Sequence, residues 1–382
     1  MNKTFCILPW VHIHAWPTGR AYPCCLADSQ QPVGNLKTNT LEQIWNNDSM
    51  QTIRANMLAG NTCAECQDCY DQEAHSGSSM RTMSNANFAQ YIKGDLDTQP
   101  KFKLRSLDIR FSNICNLKCR TCSPVFSSRW NEDTPTGKIV EFCGRTPEDI
   151  WQQIQPQIAD LEQIYFAGGE PLIMEEHYLI LQELIRTNNT NCSLIYSTNL
   201  TRLDYRGQSI LDLWQHFPNI TVNASVDALY QRNDIIRSGS SFNDIEQNLK
   251  ILAKLPNIHL TVTPTVSVLN IHNLVELHCW LIDHNYIGAC GFDLNILEGP
   301  REYCITILPD TVRERLAQNF SDHIDRLNTR NYPTAQWQNL IDRMLAQDTS
   351  SRIAEFWDTT RDRDLARNEH LLTVLPELDD LT

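Results

Sequence analysis

Ser106-Leu-Asp-Ile-Arg-Phe111-Ser-Asn-Ile-Cys115-Asn-Leu-Lys-Cys119-Arg-Thr-Cys122 joins a short alternating apolar stretch to a loop with three cysteines. Leu107, Ile109 and Phe111 alternate with polar neighbours, a period of two that predicts a β-strand. The pattern recurs at Gln163–Ala167, Ser193–Ser197, Thr221–Val226, His259–Thr263 and Gly291–Ile296. Between these stretches, Glu148–Leu161, His177–Arg186 and Ile245–Leu255 carry helical spacing. Alternation of this kind implies parallel strands with right-handed crossovers. Six such units are too few for the eight-stranded barrel and suit an open, partial (βα)6 barrel of the α/β class over residues 104–299. In such folds functional residues gather at the C-terminal ends of strands, where the three cysteines stand.

Outward from the barrel, residues 1–82 read as a small module. Trp10–His14 and Arg20–Pro23 flank the turn signal Pro17-Thr18-Gly19 and predict a hairpin. Leu41, Ile44 and Trp45, then Ile53, Met57 and Leu58, predict one or two amphipathic helices, with Thr40 as a cap and Gly60 as a stop. So small an apolar core would gain from a metal cross-link. Residues 83–103 read as a connector, and 300–382 as a helical extension with helices expected at Val312–Leu327, Trp337–Met344 and Ile353–Leu365. The mixed run Arg361-Asp-Arg-Asp-Leu-Ala-Arg367 reads as a solvated helix face. No tandem repeat appears.

The chain has 382 residues, 32 Lys+Arg and 46 Asp+Glu, hence a net charge of −14. That balance argues against broad binding to nucleic acid or anionic membrane, both of which need a positive surface. No apolar run is long enough to span a bilayer and the start lacks a signal-peptide stretch, so a cytoplasmic location is expected. Of 14 cysteines, nine fall in the first third: Cys6, Cys24, Cys25, Cys63, Cys66, Cys69, Cys115, Cys119 and Cys122. A disulfide framework belongs to small secreted domains, so these read as metal ligands.

Three thiolates from one loop leave one iron of a four-iron cubane open to another ligand. The C-x3-C-x2-C spacing after strand one resembles the radical S-adenosylmethionine (SAM) superfamily. The resemblance continues along the barrel. Gly168-Gly169-Glu170 after the second strand looks like that family's GGE motif, where backbone and carboxylate meet the amino group of SAM. Two glycines allow close backbone approach and a carboxylate suits an ammonium. Ser197-Thr198-Asn199 resembles the family's polar contacts to SAM, and Ser225 and Asp227 lie where it contacts the ribose and carboxylate. Arg237 resembles the arginine that pairs with the carboxylate. The resemblance spans about 190 residues and implies a [4Fe-4S] cluster on Cys115, Cys119 and Cys122. It also implies one-electron cleavage of SAM to a 5′-deoxyadenosyl radical that abstracts hydrogen from a substrate.

In the N-terminal module, Phe5-Cys6-x-x-Pro9-Trp10, Gly19-x-x-Tyr22-Pro23-Cys24-Cys25, Gly34-Asn35, Ile44-Trp45, Arg54 and Cys66-x-x-Cys69-Tyr70 resemble the twitch or SPASM-type auxiliary-cluster module. Here it precedes the barrel, whereas in most relatives it follows. The resemblance assigns Cys6, Cys24, Cys66 and Cys69 to a second, auxiliary [4Fe-4S] cluster, with Cys25 and Cys63 as spares that could replace one of them. A structural zinc site is the competing reading. Glu73, Ser79 and Arg81 are expected to line the route between module and barrel, or to be a surface loop.

Relatives with such modules often cross-link, epimerise or oxidise ribosomally made peptides, so a peptide substrate is expected. Small molecules, tRNA and a non-catalytic iron-sulfur or zinc protein are the alternatives. Reduced ferredoxin or flavodoxin is the electron donor that the resemblance implies. An epimerase would need a hydrogen donor, for which Cys143, Cys192, Cys290 and Cys304 are unassigned candidates. The histidines show no H-x-x-H or H-E-x-x-H spacing.

Overall fold

The computed structural model describes residues 3–94, 96–133 and 140–381, without the side chains of residues 75 and 76; residues 1, 2, 95, 134–139 and 382 lie outside. The strands in chain order are β1 (His12–Ala15), β2 (Arg20–Tyr22), β3 (Gly34–Asn35), β4 (Ser106–Ile109), β5 (Gln163–Phe166) and β6 (Ser193–Thr198). They continue with β7 (Asp204–Tyr205), β8 (Gln208–Ser209), β9 (Ile220–Ala224), β10 (Ile258–Val262), β11 (Thr265–Val266) and β12 (Asn295–Ile296). The chain forms two compact units. One comprises residues 1–113, 140–195 and 210–219, and the other 114–139, 196–209 and 220–382.

In the first unit the strands run in the order β3-β2-β1-β4-β5, followed by the start of β6. β1 and β2 form the expected hairpin, pairing His14 with Tyr22. β1 also pairs in parallel with β4, His12 beside Ser106 and His14 beside Asp108. The hairpin of the N-terminal module is therefore continuous with the barrel sheet. Local chemistry sets the helices beneath it. Thr40 and Gln43 form a reciprocal cap, the Thr40 hydroxyl accepting from the Gln43 N–H and the Gln43 side chain from the Thr40 N–H. Gly60 ends the helix Asp48–Ala59 in the left-handed region at φ +82°. That helix buries Met50, Ile53 and Met57 but leaves Leu58 exposed.

Arg54 on the same helix is fully buried. It donates to the carbonyls of Pro9 (2.8 and 2.9 Å), Trp45 (2.7 Å) and Thr98 (3.2 Å). A buried guanidinium is tolerated when its N–H groups are satisfied, and these bonds tie three chain segments to one side chain. The expected connector is helical in its first half, where Met80–Asn87 and Ala89–Ile92 are helices. There Asn85 bonds both the Ile7 N–H (2.8 Å) and the Phe5 carbonyl (2.9 Å).

In the second unit the end of β6 is followed by β9 and β10, with β9 and β10 parallel and in register from Ile220–Ile258 to Ala224–Val262. The expected sixth strand over Gly291–Ile296 is interrupted. Only Phe292 bridges Val262, while β12 pairs with β11 in a separate two-stranded ribbon. The break falls at Pro264, which has no N–H to donate between the bonds from Asp293 N–H to the Val262 carbonyl (3.0 Å) and from Asn295 N–H to the Pro264 carbonyl (3.1 Å), while Gln336 satisfies the opposite edge, accepting from the Leu294 N–H (3.0 Å) and donating to the Phe292 carbonyl (2.6 Å). The extension is helical at Asp310–Thr329, Ala335–Ala346 and Ile353–Arg367.

Candidate active site

Cys115, Cys119 and Cys122 are half-buried on one loop after β4. Backbone bonds anchor the loop: the Lys118 N–H donates to the Ser238 carbonyl (2.9 Å) and the Arg120 N–H to the Ile236 carbonyl (2.8 Å). The Leu117 N–H donates to the Cys115 sulfur at 3.4 Å. Burial raises the Cys119 thiol and pushes the Cys122 thiol up to about 12. Thiols so placed ionise only against a compensating cation, and an iron cluster supplies one. The three-sulfur loop therefore fits a cubane with one open iron.

Asp227, fully buried just beyond β9, pairs with Arg237 through Nε (2.8 Å) and Nη2 (3.0 Å). It also accepts from the Thr265 N–H at 2.8 Å. The remaining arm of Arg237, Nη1, lies 3.9 Å from the Cys119 sulfur. Burial alone would lower the Arg237 pKa, but Asp227 and Cys119 hold it above its ordinary value. Asn199 donates to the Asn116 side chain within the cluster loop (2.9 Å) and accepts from Thr201 (2.7 and 3.0 Å). Ser197 and Ser225 are half-buried at the ends of β6 and β9.

The Gly-Gly-Glu turn belongs to the first unit. Gly168 has φ +80° and Gly169 φ +55°, conformations that favour glycine. A Cβ on Gly168 would stand 2.6 Å from the Arg110 side chain. Glu170 is buried and its carboxylate accepts from the Leu172 N–H at 3.1 Å, capping the short turn that follows. Sequence reasoning missed a charged group at the end of β4: Asp108 is 2% exposed and meets His14 Nδ1 (2.8 Å) and Arg110 Nε (3.0 Å). Burial would raise its pKa, but Arg110 and His14 outweigh it and hold the carboxyl far below its usual range. Arg110 also lies over the Tyr165 ring, 5.5 Å from its centroid.

Cys6, Cys24, Cys66 and Cys69 line one cavity with Leu8 and Leu26. Burial pushes the Cys6 and Cys24 thiols up to about 12. Cys69 is raised by burial but receives hydrogen bonds from Ser79 and the Arg81 N–H. Glu73 binds Ser79 and Arg81, and Arg81 donates to the Phe5 carbonyl at 2.7 Å, so these three residues surround Cys69. Cys63 is not on the cavity wall; its thiol interacts with Cys66 and lies 3.7 Å from the Ile53 carbonyl. Cys25 faces elsewhere, toward Met80, Asp108 and Arg110. Among the described residues no His, Cys, Asp or Glu side chains converge on one point as a single metal ion requires. Four sulfurs around a cavity suit a cluster.

The model of the Radical SAM superfamily matches residues 109–278, and that of the iron-sulfur cluster-binding domain SPASM matches residues 6–70. The chain thus carries a radical SAM domain and a SPASM domain. Its SPASM domain stands N-terminal to its radical SAM domain, and the two bring SAM and [4Fe-4S] clusters, one of them auxiliary, as cofactors. The chain is 26% identical over 217 residues to an uncharacterised protein of Methanocaldococcus jannaschii, covering 54% of this chain and 68% of that one. It is 27% identical over 146 residues to the GTP 3',8-cyclase of Actinobacillus pleuropneumoniae serotype 3, covering 38% of each. Streptococcus suis SuiB bound to precursor peptide SuiA is similar at 16% identity and a TM-score of 0.42, over 77% of this chain and 63% of SuiB. The chain thus spans well under half of the cyclase it matches.

The radical SAM domain leans on one element that the sequence reading assigned to solvent. Arg361 is exposed, but Arg363, Asp364 and Arg367 turn inward onto the cluster loop. Leu365 is 84% exposed, so the apolar side chain of this run faces out and the charged ones face in. The spacing of 363, 364 and 367 marks one helix face, but only the fold shows what lies beneath it. Of the unassigned cysteines, Cys143, Cys192 and Cys304 are buried and Cys290 is exposed. No helix among the described residues is long and apolar enough to cross a membrane.

Proposed function

We propose that this radical SAM enzyme cleaves SAM reductively at a cluster on Cys115, Cys119 and Cys122 and uses the radical on a ribosomally made peptide. When bound, the cluster and SAM supply the electron transfer and the 5′-deoxyadenosyl radical that takes hydrogen from the substrate. The observation that carries the reading is the loop of three half-buried thiols with the Arg237 guanidinium at the Cys119 sulfur. Arg237 offsets negative charge at the cluster and at the SAM carboxylate, and Asp227 holds it in orientation. Gly168 and Gly169 give the SAM amino group close backbone approach, and Glu170 supplies the acidic partner. Ser197, Asn199, Ser225 and Asp227 complete the polar contacts to SAM. Asn199 does so while steadying the loop through Asn116.

Cys6, Cys24, Cys66 and Cys69 hold the auxiliary cluster, which has no open iron and passes electrons or shapes the substrate site. The peptide is favoured by the pairing of a SPASM domain with the barrel, and nucleic acid is disfavoured by the net charge of −14. Reduced ferredoxin or flavodoxin delivers the electron. A small nucleotide is the second reading, favoured by the stretch similar to GTP 3',8-cyclase.

The test is anaerobic reconstitution of the wild type beside a Cys115/Cys119/Cys122 triple Ala variant. About eight irons should fall to about four, with 5′-deoxyadenosine made under dithionite only by the wild type. Equal iron in the two proteins sinks the cluster assignment. A mass change in a precursor peptide encoded beside the gene supports the peptide, and consumption of GTP instead supports the nucleotide.

A further inference from the structure

The C-terminal extension carries no cysteine ligand, yet four of its side chains, Arg363, Asp364, Arg367 and Glu369, close on the loop that holds Cys115, Cys119 and Cys122. Arg120, between the second and third cysteine, is fully buried. Its Nη2 meets Asp364 and, at 2.5 Å, Glu369, while its Nε donates to the Ile235 carbonyl at 3.2 Å. Arg363 donates to the Arg120 carbonyl and stacks over Trp130 and Tyr303, 4.8 and 4.7 Å from the ring centroids. Arg367, whose side chain is 1% exposed, donates through Nη1 to the Lys118 carbonyl (2.7 Å) and to the Ser238 hydroxyl (3.0 Å). Its Nε donates to Asp133 at 2.6 Å, and Asp133 also holds Lys118 Nζ at 2.9 Å.

The two backbone groups bracketing Cys119, the Lys118 and Arg120 carbonyls, are thus both capped by arginines of one helix. Buried guanidinium and carboxylate groups are costly to bring out of water and persist where they fix a particular arrangement. The helix Ile353–Arg367 therefore does more than pack. Beyond the buried Phe356, its last turns are polar on the inner face because that face must satisfy the backbone of an irregular loop, a demand that leucines cannot meet.

We propose that Arg363, Asp364 and Arg367 are positioning residues for the SAM-binding cluster, holding the cysteine loop in the geometry that retains its iron. The proposal rests on the cluster assignment above and adds the element that maintains it. An exposed three-thiolate loop free to splay would release iron to chelators, whereas a clamped one keeps its sulfurs at fixed separations.

The test compares full-length wild type, Arg367→Met, Arg367→Lys, Asp364→Asn and the exposed control Arg361→Met, all reconstituted anaerobically. Iron release to an excess chelator is followed in each, with hydrogen exchange at the Lys118 and Arg120 amides of the iron-free chains. Arg367→Met and Asp364→Asn should release about four irons at least tenfold faster than wild type, with the other four unchanged, and should exchange faster at both amides. Arg367→Lys should recover part of the difference and Arg361→Met should match wild type. Wild-type release and exchange in Arg367→Met and Asp364→Asn overturn the proposal. So does equal acceleration of all irons, which would mark a general loss of fold. If the cluster assignment itself is wrong, the triple Ala variant loses no iron, while the exchange data still report on the clamp.

Discussion

Arg237 grips Asp227 with two nitrogens, at 2.8 and 3.0 Å, and presents its third to the Cys119 sulfur at 3.9 Å. Removing one partner of a buried pair strands the other charge. Asp227→Asn should therefore cost about 3–5 kcal/mol, read as a lower urea midpoint. Arg237→Met should lower the reduction potential of the SAM-binding cluster, because hydrogen bonds and positive charge at the sulfurs favour the reduced state. An EPR-monitored redox titration checks this, and an unchanged potential would separate Arg237 from the cluster.

Cys6, Cys24, Cys66 and Cys69 line one cavity, and neither Cys25 nor Cys63 lies on its wall. Single Ala substitutions at any of these four should lower the auxiliary iron content, whereas Cys25→Ala should leave it at the wild-type level. Iron and sulfide analysis of the reconstituted variants decides it.

Gly168→Ala places a Cβ 2.6 Å from the Arg110 side chain at a residue with φ +80°. The left-handed conformation alone costs about 1–2 kcal/mol for an L-residue, and Arg110 must shift besides. Lower thermal stability and weaker SAM binding by calorimetry are expected. Gly207→Ala, at φ +82° with nothing near its would-be Cβ, should show the backbone cost alone.

His278 and His323 lie 3.0 Å apart, nitrogen to nitrogen, beside Trp337. Burial lowers His278 to about 3 and His323 to about 4. Both folded values lie below the unfolded 6.5, so the unfolded chain binds protons first as pH falls. Their contribution is whole above about pH 6.5 and declines from there toward pH 4. A histidine held neutral throughout loses about 2 kcal/mol between pH 7 and pH 5. The urea midpoint should drop over that interval, and a His278→Leu, His323→Leu double variant should drop less.

Local pattern made the barrel legible. Strands begin at Ser106, Gln163 and Ser193, where alternating residues predicted them, and Thr40 and Gly60 bound helices as their side-chain chemistry dictates. What the sequence hid was long-range partnership. Nothing local distinguishes the edge of β4 that receives β1 from a free one, and Gln336 bonds the Phe292 carbonyl and the Leu294 N–H from 44 and 42 residues away. Arg363, Asp364 and Arg367 looked solvated because charge on a helix face ordinarily is. Their burial depends on the carbonyls of Lys118 and Arg120, more than 240 residues earlier.

The parallel pairing of β1 with β4 makes the auxiliary-cluster hairpin a strand donor to the barrel. A chain trimmed of its first 82 residues would bare the main-chain donors and acceptors along β4, an open edge that recruits other chains. The cluster-bearing segment thus cannot be shed or transplanted as a cassette. Any recombination that moves it must carry a surrogate strand for Ser106–Ile109 or accept an aggregating barrel.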